Sequence, residues 1–309
     1  MKKFIRKTIK LIIPLTILSL LWVLIYGFPP PNLSPNISFN ARMFNLKERH
    51  IDVNIDVLAI GSSMSLNNIH TKTIKNNLSE KYLNISSWGQ KIEDDFKLIK
   101  ILTKHYKPKK IIISSNFMDF GSGKIGIKYN LIDSYLFKNE IKHYTELNIQ
   151  YLLKESRSYF NKKRDGNNYK SLMYDDCGGI NFKSNNFNIS LERWNGYSIN
   201  KFKKGTNQYY FLDSISKFCK EKDITFVFVQ SPFREGYVSL LNEHELSVLN
   251  NHKNKIESIL KRNNNLFIDS QKKSWEDDLF VDYSHLNSKG AKKYTEYFLK
   301  EIDKAQLSK

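Results

Sequence analysis

The sequence predicts a three-layer α/β/α sandwich on a parallel sheet, and two observations carry that prediction. Short runs rich in β-branched residues recur at Asp56–Ile60, Tyr82–Ile85, Lys110–Ser114, Ile224–Gln230 and Leu266–Asp269. Between them the apolar spacing turns helical: Ile92, Phe96, Ile99 and Leu102 share one helix face, as do Ala291, Tyr294, Phe298 and Ile302. Strands that alternate with helices form parallel sheets covered on both sides, because each crossover helix returns over the sheet. The 309 residues with 40% apolar content suffice for a packed core and argue against intrinsic disorder.

Ahead of the first strand, Lys2, Lys3, Arg6, Lys7 and Lys10 precede Leu11–Phe28, a segment without a charged residue. At 1.5 Å per residue, its roughly 18 residues nearly span a bilayer core of about 30 Å. Trp22 and Tyr26 sit toward its far end, where amphipathic rings favour headgroups, and Pro29, Pro30 and Pro31 stop a helix. No small-x-small cleavage site is visible near Phe28. The expected organisation is therefore a cytoplasmic basic tail (1–10), an uncleaved transmembrane anchor (11–28), a Pro- and Asn-rich stalk (29–55) and a folded domain (56–305). The positive-inside bias puts that domain outside the cytoplasmic membrane, periplasmic or at the cell surface. Within it the alternation lapses over 117–205, a stretch rich in Asn, Lys and aromatics, which reads as an insertion: a lid, a binding element or a small subdomain.

Charge and cysteines exclude more than they assign. Subtracting 31 acidic from 49 basic side chains leaves +18. The lysines are scattered singly, without an arginine-rich helix or basic-aromatic sheet signature, so nucleic acid is not the expected partner. Cys177 and Cys219 offer neither a disulfide framework nor zinc spacing. Cys219 shares an apolar stripe with Phe211, Ile215 and Phe218 and reads as a core thiol, while its pairing with Cys177 stays open. His70 and His105 read as surface or helix-end residues. Gly121-Ser-Gly-Lys-Ile-Gly126 fits G-x-G-x-x-G, yet it lies past its strand, lacks an acidic partner and has Ile125 where a P-loop needs Ser or Thr. It reads as a flexible edge of the insertion, and neither cofactor nor metal is expected.

Four short blocks carry the chemistry. Ile60-Gly61-Ser62-Ser63 follows the first strand and opens a helix, so Ser63 stands at the carboxyl edge of the sheet, where open α/β folds bind ligands. Asp282-Tyr-Ser-His285 precedes the last helix. An aspartate three residues before a histidine can hold one imidazole nitrogen so that the other accepts a serine proton. Gly89, in Asn84-Ile-Ser-Ser-Trp-Gly89, ends the second strand, and Asn116 follows the third; an amide and a carboxamide there can stabilise an oxyanion.

Together these blocks resemble the SGNH (GDSL-like) hydrolase superfamily over roughly residues 55 to 302. The resemblance implies a flavodoxin-like fold, Ser63 as nucleophile, His285 and Asp282 as its partners, and an oxyanion hole from the Ser63 amide, Gly89 and Asn116. Two departures are visible: Ser62 replaces the usual aspartate of Gly-Asp-Ser, and Phe117 follows the block-three asparagine. The Gly-Ser-Ser form behind an anchor is similar to membrane-tethered members that modify cell-surface polymers, such as the teichoic-acid D-alanine transfer and alginate acetylation proteins. That implies an extracytoplasmic serine esterase or O-acyltransferase acting on a cell-surface glycan, with a membrane-bound O-acyltransferase as partner. The alternative is a catalytically silent glycan-binding or assembly subunit of the same fold. Tyr129, Tyr135, Trp194 and Tyr197, with Arg193, are the expected glycan platform of the insertion.

Overall fold

The computed structural model describes residues 1–26, 31–49, 54–138, 172–183, 189–202 and 207–307; the middle of the expected insertion (139–171) and the side chains of residues 22–26 lie outside the described residues. Five strands, β1 (Val57–Ala59), β2 (Tyr82–Asn84), β3 (Lys110–Ser115), β4 (Thr225–Gln230) and β5 (Leu266–Asp269), form one sheet in the order β2-β1-β3-β4-β5. Every neighbouring pair is parallel. The helices in chain order are α1 (Lys2–Tyr26), α2 (Ile37–Glu48), α3 (Ser63–Asn68), α4 (Thr71–Asn77), α5 (Ile92–Leu102), α6 (Tyr129–Asp133), α7 (Leu191–Asn195), α8 (Gln208–Glu221), α9 (Glu235–Val238), α10 (Glu243–Arg262) and α11 (Ser288–Leu307).

Strand periodicity sorts the core into two halves. Leu58, Ile60, Ile111, Ile113, Phe226 and Phe228 face one side, where α2, α5, α8 and α10 cover them. Val57, Ala59, Ile112, Val227 and Val229 face the other, under α4 and α11. The three layers thus arise from strands buried on both faces, as a parallel sheet requires. Local signals start the covering helices: Glu93, Asp94 and Asp95 fill the first turn of α5, and Asn242 with Glu245 forms a capping box on α10.

Two expectations are corrected. The segment 29–55 is not a stalk in its described part, since α2 is built into the core with Phe39 and Met43 fully buried. Its Asn-rich composition reflects capping: Asn36 accepts the Phe39 amide at 3.0 Å, and Asn40 accepts those of Leu33 and Ser34 at 2.9 and 3.1 Å. The buried Arg42 ties α2 to the sheet through its Nε and the Asn84 carbonyl, 2.8 Å apart. Second, the expected insertion begins too early, because Ile127, Ile132 and Tyr135 pack into the main core. In the loop Gly121–Gly126, Ser34 donates to the Ile125 carbonyl at 2.5 Å, while Ser122, Gly123 and Lys124 are exposed.

Helix α1 exposes Leu11, Ile12, Ile13, Leu15, Ile17, Leu18, Leu20 and Leu21. Among the described residues, no helix is long and apolar enough to cross a membrane. The expected span runs past Leu21, the last residue of α1 whose side chain is described. Cys177 and Cys219 are buried free thiols on opposite faces of the sheet.

Candidate active site

The turn after β1 places Ser63. Gly61 adopts φ +147°, and a Cβ there would lie 2.6 Å from Ser65 Oγ, so glycine alone fits. Ser62 caps α3 by accepting the Met64 amide at 3.1 Å. Ser65 Oγ accepts the Ser114 amide at 2.8 Å and lies 3.0 Å from the Ile60 carbonyl, which locks the first turn of α3 onto β1 and β3. Ser63 is left partly exposed at the carboxyl ends of the strands, beside the β1/β3 boundary where the strand order reverses.

His285 Nε2 lies 2.8 Å from Ser63 Oγ, although 222 residues separate them. Its Nδ1 lies 3.0 and 2.9 Å from the two carboxylate oxygens of Asp282. A carboxylate only accepts, so Nδ1 carries a proton, and an unprotonated Nε2 is placed to accept from the Ser63 hydroxyl. Asp282 is fully buried, and its Oδ1 also accepts the Ser284 and His285 amides at 2.9 and 2.8 Å. The Val281 amide donates to the His285 carbonyl at 2.8 Å and closes the loop.

A residue with no signal in the sequence reading joins this loop to α3. Asn68 donates from Nδ2 to the Ser284 carbonyl at 3.0 Å and to Ser231 Oγ at 2.7 Å, and its Oδ1 accepts the Leu286 amide at 2.9 Å. Its partners in the loop are more than two hundred residues distant, so no local spacing marks it.

The two expected oxyanion donors differ. Asn116 Oδ1 caps the turn Phe117–Phe120 through the Met118 amide at 2.9 Å, and its Nδ2 lies 3.1 Å from the sulfur of Met64, the residue after Ser63. Gly89 has φ +71°, and a Cβ there would meet Ile125 and Asn36, at 3.4 and 3.9 Å. Behind Asn116, burial raises the Asp119 carboxyl above its ordinary range, while Lys91 and hydrogen bonds from Ser62, Ser115 and the Asn116 amide pull it down. Burial likewise lifts Asp95 well above that range.

The chain before α8 reaches Asp282. Arg193 Nε lies 3.2 Å from Asp282 Oδ2. Arg234 is buried, donates to the Trp194 carbonyl at 3.0 Å, and stands over the Trp194 ring at 4.4 Å. Tyr197 is about half exposed, with 47% of its surface open, and meets the edge of Tyr283 at 6.0 Å. The expected aromatic platform therefore divides. Trp194 meets Arg234, and Tyr197 meets Tyr283 next to Asp282 in the chain, whereas Tyr135 is buried in the core and Tyr129 donates to Asp94 on α5. His70 caps α4, and His105 Nε2 lies 2.6 Å from Asp133, both away from Ser63. Among the described residues no His, Cys, Asp and Glu cluster has the makings of a metal site.

A family model that bears no description matches residues 195–307, well short of half the chain. No curated protein matches the chain. Several solved structures are similar to it at low identity. A GDSL-like lipase from Bacteroides thetaiotaomicron is 9% identical over 85% of this chain and 98% of its own, with a TM-score of 0.42. A lipase/acylhydrolase from Enterococcus faecalis is 11% identical over 80% and 95%, with a TM-score of 0.41. The acetylxylan esterase Axe2 from Geobacillus stearothermophilus is 13% identical over 82% and 95%, with a TM-score of 0.39. Likeness this loose transfers no residue role, and the chemistry of the site rests on its own distances.

Proposed function

We propose that this chain is a serine esterase or O-acyltransferase of the SGNH kind. The observation that carries the reading is the 2.8 Å contact of Ser63 Oγ with His285 Nε2, backed by Asp282 at 2.9 Å from Nδ1. Nucleophile, base and orienting carboxylate within hydrogen-bond reach are the requirements of acyl transfer. Ser63 Oγ attacks the acyl carbon while its proton passes to His285 Nε2, and Asp282 stabilises the imidazolium. His285 then returns the proton to the departing alkoxide, leaving acyl-Ser63. Water or a sugar hydroxyl, deprotonated in turn by His285, attacks that ester and restores Ser63.

The developing oxyanion needs fixed donors. In this reading they are the Ser63 amide and Asn116 Nδ2, whose thioether partner is a weak acceptor that a carbonyl oxygen can replace. The Gly89 amide is the third donor of this reading. The substrate we assign is an ester-linked acyl group on a cell-surface glycan. The half-exposed Tyr197, with Tyr283 beside it, offers a ring to a sugar face. We further assign α1 as a membrane anchor with the site outside the cytoplasm, on its basic start and its row of exposed leucines and isoleucines, and, on the resemblance to membrane-tethered SGNH proteins, a membrane-bound O-acyltransferase as a partner.

The test is labelling by a fluorophosphonate probe. Labelling of the wild-type chain and its loss in Ser63→Ala support the enzyme. A folded wild-type chain that takes no label supports the silent glycan-binding subunit instead. Location is tested separately by alkaline carbonate extraction of membranes, from which an anchored chain does not wash off; release into the soluble fraction would remove the anchor.

A further inference from the structure

We infer that Asn68 is the positioning residue that sets His285 against Ser63, an inference resting on the reading of Ser63 as nucleophile. Asn68 ends the six-residue helix that Ser63 begins, and it is fully buried. The Ser284 carbonyl belongs to the peptide bond before His285 and the Leu286 amide to the bond after it. Asn68 holds both, at 3.0 and 2.9 Å, so a single carboxamide pairs with His285 as a neighbouring strand would. Its second Nδ2 proton goes to Ser231 Oγ at 2.7 Å. The amide orientation is dictated, because a flipped amide would set N–H against the Leu286 N–H.

Two side chains thus divide the task of holding His285. Asp282 shapes the loop from within, accepting the Ser284 and His285 amides two and three residues along the chain. Asn68 ties the finished loop to α3 across 216 and 218 residues. Without Asn68 the His285–Asp282 contact keeps its local cause, whereas the His285–Ser63 distance loses its external tie. Few residue types serve here. Aspartate cannot donate to the Ser284 carbonyl, and an apolar side chain leaves two buried peptide groups unpaired.

The experiment is the rate of fluorophosphonate labelling of the full chain. Asn68→Ala is expected to slow it about a hundredfold, the scale of an ångström-sized misplacement of reacting groups, with the loss in the bond-forming rate and not in probe affinity. Ser231→Ala removes the third bond of Asn68 but neither tie to the His285 loop, and it is expected to label at close to the wild-type rate. Asn68→Ala labelled as fast as wild type, or Ser231→Ala slowed equally, overturns the inference while leaving Ser63 as nucleophile. Failure of the wild-type chain to label overturns the reading of Ser63 itself. Should Asn68→Ala not fold, amide exchange in the wild-type chain decides: the Leu286 N–H is expected to be protected, and free exchange would overturn the assignment.

Discussion

Arg193 Nε stands 3.2 Å from Asp282 Oδ2, the carboxylate behind His285. The arginine side chain is 36% exposed and the aspartate wholly buried, so solvent screens the pair on one side only. Asp282 keeps two backbone amides and His285 without it. Arg193→Ala is therefore expected to lower kcat/KM on a p-nitrophenyl ester by less than about tenfold, the loss of one charge-assisted hydrogen bond near the surface. A loss larger than that of Asp282→Asn would mean that Arg193 meets the substrate directly.

The contacts of Ser63, His285 and Asp282 predict strong non-additivity. Groups that act as a unit cost nearly their full value on the first removal. Ser63→Ala and His285→Ala should each lower kcat by about 10⁴-fold or more, and the double variant should be scarcely worse. Asp282→Asn should cost less than either single change. Additive losses in steady-state kinetics would show that Ser63 and His285 do not share a step.

Ser63, Asp282 and His285 stand out in the sequence because each lies in a short block at the end of a predicted element. The five strands were legible for a similar reason: a parallel sheet buries whole β-branched runs, which composition reveals. Asn68 and Arg193 were not legible as neighbours of His285 and Asp282, because their partners lie 216 and 89 residues away. The stalk was misread because Asn36 and Asn40, which cap and brace α2, have the composition of a linker. Tyr129 and Tyr135 were misread as surface aromatics because surrounding Lys and Asn masked the spacing of Ile127, Ile132 and Tyr135. Composition reports solvent preference over a window; it does not report which single side chains turn inward.

Gly61 gives a prediction about the turn itself. Gly61→Ala places a methyl 2.6 Å from Ser65 Oγ at a φ of +147°, so strain and a clash arrive together. The expected cost is about 1–3 kcal/mol of stability, measured by urea unfolding, with a fall in activity as α3 shifts. Combining it with Ser65→Ala removes the clash but not the backbone strain. The pair should therefore lose less than the sum of the single changes. Strict additivity would show that Ser65 yields freely.

Asp95 is fully buried, and burial raises its carboxyl well above the ordinary range, although Gln90 Nε2 at 2.6 Å and Lys91 pull the other way. Asp94 and Asp119 are raised by the same cause. A folded-state value above the unfolded one means that the folded chain holds the proton more tightly. That contribution to stability is complete below the unfolded value of about 3.9 and is lost as pH rises through the folded one. At neutral pH the buried Asp95 carboxyl is thus a burden on the folded chain. Asp95→Asn keeps an oxygen to accept from Gln90 and cannot ionise. Its Tm should exceed that of wild type at pH 7, and the advantage should shrink toward zero below about pH 4, where aspartate is protonated in both states. Thermal unfolding across that range at constant ionic strength measures it. An advantage equal at every pH would assign the change to packing, and a lower Tm at pH 7 would mean that the ionised carboxylate is stabilised where it lies.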